Sequence, residues 1–210
     1  MQSKRIQKLI DLFSQFPTVG PRTASRFVFY LLKQPKEKAQ EIIDSILDVK
    51  NKVKYCQFCF NPFEPETDEV LCPICKNQNR EKSQLCIVEK ETDLNTIENT
   101  KKYKGLYFIL GGTVAVLKEN SKEEVRINEL AQRMKNPASF GITADFKEVI
   151  VATNPTSEGR TTALLVERMI KETLPTNPPK ITHLGLGLPI GGELEYADEE
   201  TLENAFTSRR

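Results

Sequence analysis

With 210 residues the chain can form one good core or two to three small compact units, because a domain takes about 100 to 200 residues. Its formal net charge of +1 selects no partner. No apolar run approaches the roughly 20 residues needed to cross a bilayer, which excludes membrane-spanning helices. The N-terminal MQSKRIQKLIDLFSQF spaces its apolar residues as an amphipathic helix and not as a signal peptide, so a soluble cytoplasmic protein is expected.

The charge is unevenly spread. Residues 1–54 carry eleven Lys or Arg and five Asp or Glu, a local net of +6, whereas the other 156 carry nineteen and twenty-four, a net of −5. A basic module suits a polyanion if it also holds a phosphate-binding motif; otherwise it is a solvated, lysine-rich surface.

In chain order, Ile6, Leu9, Ile10, Phe13 and Phe16 share a helical face that should stop before Pro17. In FPTVGPRTASRFVFYLL, Gly20 is expected to supply an unusual backbone angle and Pro21 to open a new helix, whose buried face is Phe27, Val28, Leu31 and Leu32. This reads as helix, tight hairpin, helix. A third helix is expected over 35–52, turning Ala39, Ile42, Ile43, Ile46, Leu47 and Val49 toward the others. Segment 55–76 holds Pro62, Pro65 and Pro73, which predicts loops and short ribbon strands. Apolar runs at 85–88, 106–110, 149–152 and 181–184 then alternate with helical patterns near 93–99, 122–135 and 158–174. That alternation predicts a mostly parallel sheet covered by helices.

Cys56 and Cys59, then Cys72 and Cys75, form two C-x2-C pairs separated by twelve residues. The spacing suits one tetrahedral structural zinc ion per chain, with no position left for water. Cys86 lies in the expected strand LCIVE and reads as a small core residue. His183, the only histidine, has no evident triad around it.

Helix-hairpin-helix modules present backbone N–H groups of the hairpin and the next helix to a phosphate. Val19, Gly20 and the following helix start match that need, and Arg22 and Arg26, four apart, project from one helix face. A plain αα-turn is the other reading of the same residues. Magnesium-dependent strand chemistry needs several carboxylates. Glu89 follows one strand, but the next strand leads into Asn154, Pro155, Thr156, Ser157 and Glu158. Asn and Thr bind magnesium poorly, so Glu89 and Glu158 read as isolated acids, either solvated at strand ends or holding a partner, and no enzymatic activity is expected. No G-x4-GK-[ST] motif occurs.

With FPTVGPRTASRFVFYLL, the four cysteines, LCIVEKETDLNTIE, ATNPTSEGRTTA and LPIGGELEYADEETL in this order, the chain resembles the RecR family of bacterial recombination mediators along nearly its whole length. The resemblance implies a multi-domain α and α/β protein. Its expected parts are a helix-hairpin-helix domain over 1–54, a four-cysteine zinc finger over 55–78, a Toprim-type α/β domain over 79–176 and a C-terminal segment over 177–210. It further implies a non-catalytic protein that assembles as a dimer and a ring-shaped tetramer around DNA. With RecO and RecF, such proteins help load RecA onto single-stranded gaps coated by single-strand-binding protein. Arg22 and Arg26 match basic hairpin residues that contact DNA in the family, and Glu89 and Glu158 match Toprim acids implicated in docking RecO. Sequence-independent binding of double-stranded and gapped DNA, a nucleoid-associated cytoplasmic location and no membrane contact follow from that likeness. Three features depart from it: Thr18 stands where the hairpin usually has Gly, the loop GGTVAVLKENSKEE lacks the usual His-containing, Ser-Pro and Gly-rich stretch, and Leu186 sits before Gly187 where a basic residue or His is common. The competing readings are a magnesium-dependent nuclease or primase using Glu89 and Glu158, and a zinc-containing protein adaptor with no DNA role.

Overall fold

The computed structural model describes residues 3–114, 125–143, 145–185, 187–188, 190–207 and 209. Leu186 and residues 115–124 of the divergent loop lie outside them. The chain divides into two compact units, Met1–Val53 and Lys54–Arg210.

The first unit holds α1 (Lys4–Phe13), α2 (Pro21–Leu32) and α3 (Lys36–Lys52). The first helix stops ahead of Pro17, where the Ser14 backbone N–H and hydroxyl both donate to the Ile10 carbonyl, at 2.9 and 2.8 Å. Ile10, Ala24 and Val28 make a small core, with Ile6, Leu9, Phe13 and Val19 packed against it. Two expected faces behave otherwise. Of the apolar positions expected to be buried on α2, Val28 is buried, whereas Phe27 and Leu32 are exposed. On α3, Ile42, Ile43, Ile46, Leu47 and Val49 all face water. The face of α2 that carries Ala24 and Val28 is already covered by α1, so the helical periodicity of α3 is right but its burial within one chain is not.

The second unit is built on a four-stranded, fully parallel sheet, β3 (Glu81–Val88), β4 (Gly105–Ile109), β5 (Glu148–Ala152) and β6 (Lys180–His183), in the order β4-β3-β5-β6. Before it, β1 (Lys54–Tyr55) and β2 (Pro62–Phe63) form an antiparallel ribbon, followed by the short helix α4 (Pro73–Lys76). The connecting helices are α5 (Glu91–Asn99), α6 (Ile127–Lys135) and α7 (Ser157–Thr173), and α8 (Glu199–Thr207) lies near the C-terminus. Leu85, Leu106 and Val149 are neighbours across three strands and point into the larger core layer, while Cys86 and Tyr107 point into the other. Both faces are covered, as near-continuous apolar strands require. In the smaller layer, burial pushes the Cys86 thiol up to about 12, which suits an inert core side chain.

Near the strand starts, Arg80 donates to both oxygens of Glu98 at 2.8 and 2.9 Å and to the Gly105 carbonyl at 3.0 Å. The Tyr107 hydroxyl donates to the same carboxylate at 2.9 Å. This clamp ties the end of α5 to β3 and β4. Among the described residues no helix is long and apolar enough to cross a membrane.

Candidate metal centre and nucleic-acid interface

The four cysteines lie on two turns, Cys56 and Cys59 after β1 and Cys72 and Cys75 at the ends of α4's first turn. Phe60 closes the first turn with a left-handed φ of 63°, and its N–H donates to the Cys56 carbonyl at 3.1 Å. All four sulfurs are buried and lie within 4.8 Å of one another, with Cys59 and Cys72 3.6 Å apart. A tetrahedral ion about 2.3 Å from each sulfur spaces its ligands about 3.8 Å apart, so the set fits a metal with little movement. Two backbone N–H groups already point at sulfur, Asn61 to Cys59 at 3.4 Å and Cys72 to Cys56 at 3.3 Å, as they do when sulfur carries negative charge. Sulfurs this close compete for protons: neighbouring Cys59 pulls the Cys56 thiol well down, whereas Cys56 drives Cys75 well up.

This cluster is no isolated finger. Cys56, Phe58, Cys59, Cys72 and Cys75 share one core with Leu85, Ile87, Leu106 and Phe108 of the sheet. The Ile109 N–H donates to the Cys59 carbonyl at 3.0 Å, which hangs the cysteine turn on β4. Sequence reading missed Arg133. It is 7 % exposed, stacks on Phe60 and Phe140 at 4.6 and 4.1 Å from the ring centroids, and donates to the Gln57 carbonyl at 3.1 Å. Burial lowers its pKa, and the charge of Glu129 and then that of the Cys56 sulfur act against that shift. Four thiolates around a divalent ion leave two negative charges, one of which such a buried guanidinium offsets. In INELAQRMK it reads like any surface cation of an amphipathic helix, so nothing in the sequence flagged it.

At the C-terminal strand ends, Glu89 is only 3 % exposed and both its oxygens are taken by Asn154, through the backbone N–H at 2.7 Å and the side-chain amide at 2.6 Å. The neutral residue therefore satisfies the acid directly. Thr156 caps α7 by accepting from the Gly159 N–H at 3.1 Å, and Glu158 is exposed in that first turn. Among the described residues, no three His, Cys, Asp or Glu side chains converge except the four cysteines. His183 pairs with Glu167 at 2.9 Å on the surface.

In the hairpin, the expected roles are exchanged. Gly20 has an ordinary φ of −82°, while Thr18 takes the left-handed angle at 65°. The Val19 N–H donates to the Phe16 carbonyl at 3.1 Å and the Val19 side chain packs on the core, so Val19 builds the turn. Gly20, Arg22 and Thr23 keep N–H groups with no acceptor among the described residues, and a Cβ on Gly20 would meet nothing within 4 Å. Arg22, Arg26 and Lys33 line one groove of α2 together with Phe29 and Tyr30, a cationic face with aromatic side chains between. A β-branched residue in the left-handed region costs about 1–2 kcal/mol, so Thr18→Gly is expected to stabilise the first unit by roughly 0.5–1 kcal/mol after the added chain entropy. Urea unfolding measures this; a loss of stability would mean that the threonine side chain holds the turn.

Comparison with known proteins agrees with both units. Residues 6–50 match the family profile described as RecR, helix-hairpin-helix, residues 83–182 match a Toprim domain and residues 187–210 match RecR, C-terminal. The chain is 40 % identical over 205 residues to recombination protein RecR of Bifidobacterium adolescentis, covering 98 % of this chain and 95 % of the relative. It is 39 % identical over 204 residues to that of Clostridium perfringens, covering 97 % and 95 %. It is 38 % identical over 208 residues to that of Rubrobacter xylanophilus, covering 99 % and 97 %.

Proposed function

We propose, from the fact that this chain belongs to the RecR family, that it is a non-catalytic, zinc-stabilised DNA-binding mediator of recombinational repair. The observation that carries the reading is the start of α2: N–H groups of Gly20, Arg22 and Thr23 without acceptors among the described residues, beside exposed Arg22 and Arg26. Backbone donors at a helix N-terminus take phosphate oxygens without reading bases. Binding to double-stranded and gapped DNA is then sequence-independent and steeply salt-dependent.

Zinc is the ion we assign to the cysteines, since four buried thiolates in a closed tetrahedral set suit it and leave no position for a reacting water. The bare apolar face of α3 supports self-association as the family's dimer and ring-shaped tetramer. In the family's manner, RecO and RecF work with the clamp to load RecA on gaps, in the cytoplasm and at the nucleoid. RecO docks on the acidic strand ends, with Glu158 exposed for contact and buried Glu89 fixing the Asn154 loop beside it. A magnesium-dependent nuclease or primase needs converging acids, and here Asn154 occupies Glu89.

Arg22→Ala with Arg26→Ala is expected to weaken duplex and gapped DNA binding at least tenfold at low salt. The slope of log affinity against log salt should shrink by about 1.8, at 0.9 per lost phosphate contact. Failure of the unaltered chain to bind either DNA at low salt, with or without RecO, would sink the clamp reading, as would an unchanged slope in the variant.

A further inference from the structure

Every strand of the sheet runs the same way, so all four strand starts lie along one edge. Backbone bonds fix their order there: Glu81 N–H to the Lys104 carbonyl at 2.8 Å, Lys147 N–H to the Ser83 carbonyl at 2.8 Å, and Lys180 N–H to the Lys147 carbonyl at 2.9 Å. Lys104, Lys147 and Lys180 therefore mark the starts of β4, β5 and β6 along that edge, about 14 Å from first to last with strands about 4.8 Å apart; by strand alternation Lys104 and Lys147 follow the face of Leu106 and Val149, and Lys180, paired with Glu148, the other face. Lys101 and Lys102 lie in the connection from α5 to β4. All five lysines are exposed, and none has an ion-pair partner among the described residues.

The acids at this edge are hydrogen-bonded mostly to neutral donors and keep their charge, which is felt by Lys147 from Glu81 and by Lys104 from Glu98. Glu81 accepts from the Ser83 hydroxyl and N–H at 2.6 and 3.1 Å, and Glu148 accepts from Gln84 and Thr182, each at 3.0 Å. Glu98 is held by Arg80, and Asp145 is the other exposed acid nearby. Lys101 follows the end of α5 with a left-handed φ of 57°, closing that helix. These lysines run against the net acidity of residues 55–210, which carry nineteen basic and twenty-four acidic side chains.

We propose that this edge is a second contact surface for the phosphate backbone of nucleic acid, on the α/β unit and separate from the hairpin. Each strand of duplex DNA carries one phosphate per about 3.4 Å of axis, so an edge of about 14 Å faces about four phosphates of one strand, enough for Lys104, Lys147 and Lys180. Side chains of this type, with no base-reading partners between them, bind without regard to sequence.

The test uses the full chain with Lys102, Lys104, Lys147 and Lys180 all changed to Gln, titrated with duplex and single-stranded DNA across salt. Affinity for duplex should fall at least tenfold at low salt and the salt slope should shrink by about 3.6. A lysine-acetylation footprint of the unaltered protein gives a readout that needs no variant: bound DNA should protect these four side chains. Wild-type slope in the variant, or equal acetylation with and without saturating DNA, overturns the proposal. Protection by polyglutamate but not by DNA also overturns it, since the edge would then take an acidic protein. The inference stands apart from the hairpin reading. Should Arg22→Ala with Arg26→Ala bind normally while DNA still protects the lysines, the hairpin reading alone falls.

Discussion

Cys59→Ser or Cys72→Ser is expected to lose the metal and unfold the whole Lys54–Arg210 unit, leaving Met1–Val53 without a folded partner domain. The reason is where the cysteines lie. A zinc finger that stood by itself could melt locally, but these sulfurs share a core with Leu85, Ile87, Leu106 and Phe108 of the central strands. Structural zinc contributes on the order of 10 kcal/mol or more to small domains, while a folded domain's whole stability is about 5–15 kcal/mol. The first figure is as large as the second. Losing the ion also leaves Arg133 buried beside uncharged thiols, with its Nε unpartnered among the described residues, which adds the cost of an uncompensated cation. Metal content and far-ultraviolet melting of the purified variants, with a strong chelator applied to the unaltered protein as a parallel route, check this. A metal-free variant that melts with the wild-type transition would show that the core holds without the ion.

How much of this was legible in the sequence depended on the range of the interactions. The four cysteines were fully legible, because ligand spacing is a local property and the metal demands it. The strands were legible too: apolar runs at 85–88, 106–110, 149–152 and 181–184 lie within the observed strands to within one residue at their C-terminal ends, and β3 begins earlier, at Glu81. Long-range facts were not. Nothing local says that the cysteine turn shares the sheet's core, or that Arg133 of α6 lies over Phe60, 73 positions away in the chain. The hairpin shows a finer limit. Gly20 was the natural candidate for a left-handed angle, yet Thr18 takes it and Gly20 instead keeps the approach to the helix start open. The α3 periodicity likewise located a helix but could not tell a face buried within the chain from one left for another surface.

Gly159→Ala is expected to destabilise the second unit by about 2–4 kcal/mol, although alanine is the better helix former by roughly 1 kcal/mol. An ideal Cβ on Gly159 would sit 2.0 Å from the Asn154 carbonyl oxygen and 3.0 Å from Glu89 Oε1. The first neighbour is backbone and cannot swing aside, so either the first turn of α7 retreats or the Asn154 loop does. Either movement pulls Asn154 off Glu89, and a buried carboxylate that loses its two donors costs about 1–3 kcal/mol. It also disturbs the Thr156 cap and the placement of Glu158, so any partner contact proposed for these acids should weaken together with the fold. At about 2–4 °C per kcal/mol for a unit of this size, the melting temperature should drop by roughly 4–16 °C. Gly185→Ala is the matched control, since a Cβ there meets nothing within 4 Å and should leave melting unchanged. Wild-type melting of Gly159→Ala, with the Asn154 amide still protected from hydrogen exchange, would mean that α7 can shift without loosening Glu89, and the close fit between helix and strand end would then have no part in holding the site.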